Sequence, residues 1–218
     1  MRGESRDRSG RLNARLPAKV TLTQQCWLFI IGSTFFATGT APGFASSGGA
    51  GAANVLCFVG SWFFTSAAWI QLVRSGPEGS VEWRSAAVQF VGTVLFNVST
   101  AASVWAHAVM AERRLVWAPD ATGSLAFLVS AVLGIVAVTA SVGRWVPKSR
   151  DWRAQWVNMI GCIAFAASAV GAFVYKSGST ADEALASLGT FIGALCFLAA
   201  AVLVLPSRFR RLHQSVGT

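Results

Sequence analysis

The sequence predicts an all-α, polytopic membrane protein with six transmembrane helices and both termini in the cytoplasm. Three observations predict this fold. Hydrophobic residues make up 54% of the 218-residue chain and charged residues only 12%, about half the charged share of a soluble domain. The apolar residues fall into six blocks of roughly 20 residues, the helix length that crosses a hydrocarbon core of about 30 Å. All nine acidic and all 18 basic residues lie outside these blocks.

Each predicted span is an apolar run bounded by charged or turn-forming residues. Together the spans make one membrane domain over residues 21–206. Residues 1–20 are polar and Arg-rich and are predicted to be a disordered cytoplasmic arm, while residues 207–218 form a basic cytoplasmic tail. The six predicted spans are Leu22–Thr40, Ala52–Val73, Ser85–His107, Gly123–Val142, Ala154–Val174 and Ala184–Leu205.

The first span ends at Ala41-Pro42-Gly43, because proline and glycine do not continue a helix. An alternative is that Trp27–Thr38 is the apolar region of a signal peptide cleaved near Gly43-Phe44-Ala45. The long polar segment that precedes the run argues against cleavage. We therefore interpret this run as a retained span, with cleavage as the open alternative.

The second and third spans meet at a predicted cytoplasmic turn. The second ends at Trp69 and Arg74, and Ser75-Gly76-Pro77 makes the turn. Glu82-Trp83-Arg84 then opens the third span, which His107 closes. An acid in the first turn suits the helix dipole, and Trp and Arg suit the headgroup layer. This segment is therefore predicted to anchor the start of a helix.

The last three spans repeat the same signals. The fourth is built from small apolar residues and ends at Arg144-Trp145. Asp151-Trp152-Arg153 opens the fifth, and Tyr175-Lys176 marks its end. Asp182-Glu183 supplies acids at the start of the sixth, and Pro206 ends it.

The basic residues are distributed unequally. Fifteen of the 18 Lys and Arg residues flank the same ends of the spans as the two termini, whereas Arg113, Arg114 and Lys176 flank the other. Positive residues favour the cytoplasmic side, so both termini are predicted there. This face is expected to attract anionic lipid headgroups, at about 1 kcal/mol per basic residue. The net charge of +9 does not predict a nucleic-acid partner, because the basic residues flank spans and match no nucleic-acid-binding fold.

An acid-Trp-Arg segment recurs after 69 residues, together with the helix face that follows it. Residues at positions i, i+4 and i+7 share one face of a helix, so each copy aligns a Gly, a Phe and a small residue. With both termini on one side, the odd spans become equivalent members of three parallel helical hairpins. The first copy is Glu82-Trp83-Arg84, Gln89, Gly92, Phe96 and Ser99, and the second is Asp151-Trp152-Arg153, Asn158, Gly161, Phe165 and Ser168.

Glycine-bearing faces predict close helix packing. Small residues let two backbones approach, which is what holds helices together in lipid. The Gly-x-x-x-Phe face is present in five spans, while the fourth barely matches it. The predicted helix-packing residues are Gly32, Gly60, Gly92, Gly161, Gly189 and Gly193.

Two of these units carry a family resemblance. Ile31-Gly32-Ser33-Thr34-Phe35-Phe36 and Val59-Gly60-Ser61-Trp62-Phe63-Phe64 are similar to the YrhK-like repeats of small multi-pass bacterial membrane proteins. The units at Gly92, Gly161 and Gly193 depart from this pattern, because Ser does not follow the Gly. The resemblance implies the bacterial inner membrane as the location, and it implies no activity.

The sequence offers few groups for chemistry. No ionisable side chain is predicted inside a span, where catalytic and ion-coupled membrane proteins keep such groups. His107 and His213 are predicted on opposite faces, and the four cysteines show no Cys-x-x-Cys spacing, so no metal, cofactor or disulfide is expected. The candidates for a polar pocket are neutral amides: Gln89, Asn97 and Asn158.

These observations predict a non-enzymatic integral membrane protein that acts as a scaffold or accessory component. Its expected partners are the lipid bilayer and either a second copy of itself or other membrane proteins. The alternative is a small-solute transporter or channel whose path is lined by neutral polar side chains. A transporter requires the three amides to face one continuous cavity, and a dry, closed centre argues against it.

Overall fold

The structure is a computed structural model that describes residues 21–105 and 108–206. The predicted arm, the predicted tail and His107 lie outside these described residues. Within them the fold is helical, as the sequence predicted. The elements are α1 (Leu22–Thr40), α2 (Phe44–Gly48), α3 (Ala50–Arg74), α4 (Val81–Trp105), α5 (Val109–Ala111), a π-helical segment (Glu112–Trp117), α6 (Ala118–Val142), α7 (Arg150–Gly171) and α8 (Glu183–Val204).

Five helical segments are long and apolar enough to cross a membrane, which is what a multi-pass membrane protein requires. They are α3, α4, the continuous run Val109–Val142, α7 and α8. The predicted first span coincides with α1, but α1 is not among the five. It has 19 residues, and its first turns carry the polar side chains of Gln24 and Gln25.

Short polar side chains cap the helix starts. Thr21 and Gln24 form a reciprocal capping box at the start of α1. Ser80 accepts from the Trp83 N–H at 3.1 Å, and Ser149 accepts from the Trp152 N–H at 3.3 Å. The acid-Trp-Arg segments are therefore first turns of helices, and the Ser two residues before each acid belongs to the same signal.

The largest difference from the predicted spans lies before α6. The fourth span was predicted to begin at Gly123. Instead the helix is continuous from Val109, and Pro119 lies in the first turn of α6. The Ala118 N–H donates to the Arg113 carbonyl, five residues back. This wider π turn lies immediately before Pro119, whose ring would clash with the carbonyl four residues back in a regular α-helix.

The fifth span also ends earlier than predicted. Helix α7 stops at Gly171, and Val174 forms an antiparallel bridge with Thr180. Gly178 supplies the turn with a φ of +89°, a conformation that glycine adopts without a Cβ clash. A short hairpin therefore replaces the predicted last helical turn.

The six long helices pack as a closed ring in the order α1, α3, α4, α6, α7 and α8, with α8 returning to α1. The most extensive contacts join α1 with α3, α4 with α6, and α7 with α8. Each of these pairs consists of consecutive long helices. The ring is therefore assembled from three helical hairpins.

In each of the first two hairpins, glycines face each other where the two helices of that hairpin cross. A Cβ on Gly32 would lie 2.9 Å from the Gly60 carbonyl oxygen and 2.7 Å from Phe64 Cδ2. A Cβ on Gly92 would lie 3.1 Å from the Gly123 carbonyl oxygen and 2.7 Å from Phe127 Cδ1. Real Cβ atoms essentially never approach other atoms within 3.0 Å. The backbones at Gly32 therefore approach to a distance that only glycine permits, and the approach at Gly92 is tighter than nine in ten real Cβ contacts.

The third hairpin has the same crossing. A Cβ on Gly161 would lie 3.2 Å from the Gly193 carbonyl oxygen and 3.1 Å from Phe197 Cδ2. Gly189 makes a second close approach in this hairpin, because a Cβ there would lie 2.8 Å from both the Ser168 N and the Ala164 carbonyl oxygen. All six glycines predicted to pack helices therefore lie at helix crossings.

The interpretation that the fourth span barely carries the Gly-x-x-x-Phe face is wrong. Gly123 packs against Gly92, and a Cβ on Gly123 would lie 2.7 Å from Phe96 Cδ2. The residues Gly123-Ser124 and Phe127 reproduce the Gly-Ser-x-x-Phe unit. Each of the six long helices therefore carries one Gly-x-x-x-Phe unit.

Candidate functional site

The six phenylalanines fill the centre of the ring, and we call them the phenylalanine plug: Phe36, Phe64, Phe96, Phe127, Phe165 and Phe197. Each of them is 2–5% exposed. One layer is a triangle of Phe36, Phe96 and Phe165, with ring centroids 5.6–6.5 Å apart. In the other layer Phe197 lies 5.4 Å from Phe64 and 5.8 Å from Phe127.

The plug leaves almost no space along the axis of the bundle. The central cavity has a volume of about 10 Å³, at the lower limit for one water molecule. Its polar groups are the hydroxyls of Ser61 and Thr93, and each donates to a carbonyl of its own helix at 2.7 Å. The centre is therefore dry and closed in this conformation.

A polar vestibule lies on one side of the plug, at the ends where α1, α4 and α7 begin. It comprises two adjoining cavities of about 260 and 310 Å³, which share Gln25, Gln71 and Gln155. Asp151, Glu82 and Arg74 also line it. We call it the amide vestibule, after five carboxamide side chains in its lining: Gln25, Gln71, Gln89, Gln155 and Asn158.

Long hydrogen bonds connect three of its side chains, on α1, α3 and α4, and extend to Ser130 on α6. Gln25 Nε2 donates to Gln71 Oε1 at 3.4 Å, and Gln71 Nε2 donates to Gln89 Oε1 at 3.3 Å. The Ser130 hydroxyl donates to the same Gln89 oxygen at 3.4 Å. Since all three distances exceed the usual range for hydrogen bonds, we infer that these contacts are weak.

The structure brings two of the three predicted pocket residues together. Gln89 and Asn158 line the same cavity, and each lies seven residues before the plug phenylalanine of its helix. Among the described residues, Asn158 Nδ2 donates only to Cys162 Sγ, at 3.8 Å. Asn97 lines neither vestibule, and its buried Oδ1 has no hydrogen-bond partner among the described residues. The three amides therefore do not face one continuous cavity.

On every long helix, the side chain seven residues before the plug phenylalanine lines one of the two vestibules. On α1 it is Phe29, which packs against Phe64 with ring centroids 5.5 Å apart. An aromatic side chain thus stands where α4 and α7 carry amides. On the other three helices the equivalent position falls on the opposite side of the plug, at Cys57, Asp120 and Thr190. Since a helix rises 1.5 Å per residue, these side chains stand about 10 Å from the plug.

The second vestibule has a volume of about 570 Å³ and lies where α1, α4 and α7 end. Its described lining contains the carboxylates of Asp120 and Glu112 and no Lys or Arg. We call it the carboxylate vestibule. Hydroxyl side chains and Trp117 form much of the remaining wall.

Asp120 was predicted to lie before the fourth span, at its outer rim. Because the helix continues from Val109 to Val142, Asp120 instead lies within a candidate membrane-spanning helix and lines the carboxylate vestibule. The signal was the Pro119-Asp120 pair itself, which also fits the first turn of a helix.

No protein-family model, no curated protein and no solved structure matches the chain. The similarity of its Gly-Ser-x-x-Phe units to YrhK-like repeats therefore stays a prediction.

Proposed function

We propose that all six long helices cross the membrane as three repeated hairpins, with both termini in the cytoplasm. Helix α1 is then the sixth span, although it is less apolar than the others. Two features support this assignment. Helix α1 packs between α3 and α8, so the ring closes only with it, and it contributes Gly32 and Phe36 to the same crossing and plug as its counterparts.

We further propose that the protein is a non-enzymatic scaffold or accessory component of the bacterial inner membrane. The single observation that carries this proposal is the phenylalanine plug, because it leaves no path for a solute through the bundle. Large apolar side chains cover the outside of the ring, including Trp62, Val91 and Ile163, which are 57%, 55% and 55% exposed. This surface suits lipid and the helices of a membrane partner.

A second candidate function is a gated path for a small polar solute. One observation favours it: the two polar vestibules lie on opposite sides of the plug, so two aromatic layers alone separate them. In this alternative the plug is a gate, and the present conformation is the closed one.

Solute flux and crosslinking separate the two functions. We expect liposomes that contain the purified protein to take up glycerol, urea and K⁺ at the rates of protein-free liposomes, because the plug is closed. Saturable, protein-dependent uptake would contradict the scaffold and favour the gated path.

The crosslinking arm tests the scaffold role directly. With a photoreactive residue in place of the lipid-facing Ile163, we expect one discrete adduct in native membranes, either to a second copy or to another membrane protein. The control position is Phe127, which is 2% exposed and can be replaced by a photoreactive analogue of phenylalanine; it should give no intermolecular adduct. Absence of any discrete adduct from Ile163 and a panel of lipid-facing positions around the ring would contradict the scaffold.

A further inference from the structure

The carboxylate vestibule holds two carboxyl groups that no described side chain pairs with. Asp120 is half-buried and forms no hydrogen bond or ion pair with a described residue, and Glu112 lines the same cavity. Unpaired acidic groups on membrane-spanning helices are costly, and they are typical of binding sites and transport pathways. The packing of the bundle therefore does not account for these two acids.

The indole ring of Trp117 and the carboxyl group of Asp120 line the same vestibule and belong to the same continuous helical run, Val109–Val142. Trp117 precedes Asp120 by three residues, so both lie on one face. The indole Nε1 donates to the Ala169 carbonyl at 2.9 Å, and the ring packs edge-on against Phe173 with centroids 4.9 Å apart. These contacts hold the indole in place in the wall of the vestibule. A fixed aromatic ring next to a carboxylate suits a cation, which both groups attract.

Four hydroxyls in the wall have already used their hydrogens. Each of the four donates to a main-chain carbonyl of its own helix at 2.7–3.1 Å, and a hydroxyl whose hydrogen is engaged can only accept a further hydrogen bond. These four hydroxyls therefore offer acceptors to a ligand that brings its own N–H groups. These hydroxyls belong to Thr40, Thr100, Ser103 and Thr190.

We propose that the carboxylate vestibule binds a small protonated organic amine, with its ammonium group between Asp120 and Trp117. The ammonium N–H groups would donate to the Asp120 carboxylate and to the acceptor hydroxyls. The cavity volume of about 570 Å³ lies within the range of small-molecule sites. Among the described residues no three His, Cys, Asp or Glu side chains are placed to hold a metal ion together, so the wall favours an organic cation.

Calorimetry on the full-length protein in detergent tests this binding with three probes of related size. We expect n-butylammonium to bind with a stoichiometry of one. Tetramethylammonium carries the charge without N–H donors and should bind about tenfold more weakly, since it cannot donate hydrogen bonds to the carboxylate or to the hydroxyls. The neutral n-butanol should not bind measurably.

Two substitutions locate the site. Asp120→Asn preserves shape and removes the charge, and we expect it to weaken n-butylammonium binding by about tenfold or more. The matched control is Glu183→Gln, because Glu183 is an exposed acid at the same end of the bundle that does not line the vestibule. It should leave the affinity unchanged. If Asp120→Asn does not purify in folded form, Glu112→Gln is the second variant, with an expected loss of about threefold.

Several results would overturn the proposal. They are no binding of n-butylammonium by the native protein, equal binding of n-butanol, unchanged binding by a folded Asp120→Asn protein, or displacement by Na⁺ at equal concentration. Equal binding of n-butanol would indicate partitioning into an apolar space, and displacement by Na⁺ would indicate a general cation site. A failure here leaves the scaffold proposal intact, because that proposal depends on the plug and not on this cavity.

Discussion

Replacing Gly189 with alanine is expected to destabilise the bundle strongly. The new Cβ would lie 2.8 Å from the Ser168 N and 2.8 Å from the Ala164 carbonyl oxygen. Both atoms belong to the backbone of α7, so no side chain can rotate away and the two helices have to separate. Overpacking of this kind costs about 1–3 kcal/mol, which exceeds the gain of up to about 1 kcal/mol in helix propensity.

Thermal unfolding in one detergent measures this effect. The four free cysteines provide the signal, because Cys26 and Cys162 are buried and react with a thiol dye only as the bundle opens. The matched control is Gly51→Ala, since a Cβ on Gly51 meets no atom within 4 Å. Its melting temperature should stay equal to that of the native protein or rise slightly. Equal melting temperatures for both variants would contradict the close approach of α7 and α8.

Phe165→Ala is expected to have the largest effect of any single substitution in the plug. The Phe165 ring contacts Phe36, Phe96, Phe127 and Phe197, with centroids 5.6–6.5 Å apart, and therefore joins both layers. Truncation leaves a cavity that the surrounding helices cannot fill, because each is held at its own glycine crossing. We expect a loss of about 3 kcal/mol, the lower end for Phe in soluble cores, since lipid also solvates the exposed ring.

The control for this experiment is Phe58→Ala. Phe58 is half-buried and contacts Trp62 and Trp105, both largely exposed on the outside of the ring. Its removal should lower the melting temperature much less than removal of Phe165. If both variants melted alike, the plug would contribute no more than a surface aromatic cluster.

Local sequence patterns were sufficient to predict much of the bundle. The glycines at positions 32, 60, 92, 161, 189 and 193 were identified because a Gly-x-x-x-Phe face is a property of one helix. Gly123 was missed for a local reason. The predicted span begins at Gly123, which placed this residue at the end of its helix, whereas the structure sets it against Gly92 within a longer helix.

The vestibules could not be predicted in the same way, because they arise from the closure of the ring. Gln25 lies in the first turn of α1 and Gln71 in the last turn of α3. Their contact at 3.4 Å follows only from the antiparallel packing of these two helices. Asn97 shows the opposite case. It was predicted as a pocket residue together with Gln89 and Asn158, but it lines neither vestibule.

Cysteine accessibility in membranes tests most directly the claim that a closed plug separates two vestibules on opposite sides. Single cysteines at three positions, in a protein whose four native cysteines are replaced, sample the amide vestibule, the plug and the carboxylate vestibule: Gln155, Thr93 and Ser187. A membrane-impermeant maleimide should label Gln155→Cys only from the cytoplasmic side and Ser187→Cys only from the outer side. Thr93→Cys should stay unlabelled from both sides, because Thr93 is fully buried. Labelling of Thr93→Cys, or labelling of either vestibule position from both sides, would contradict the account.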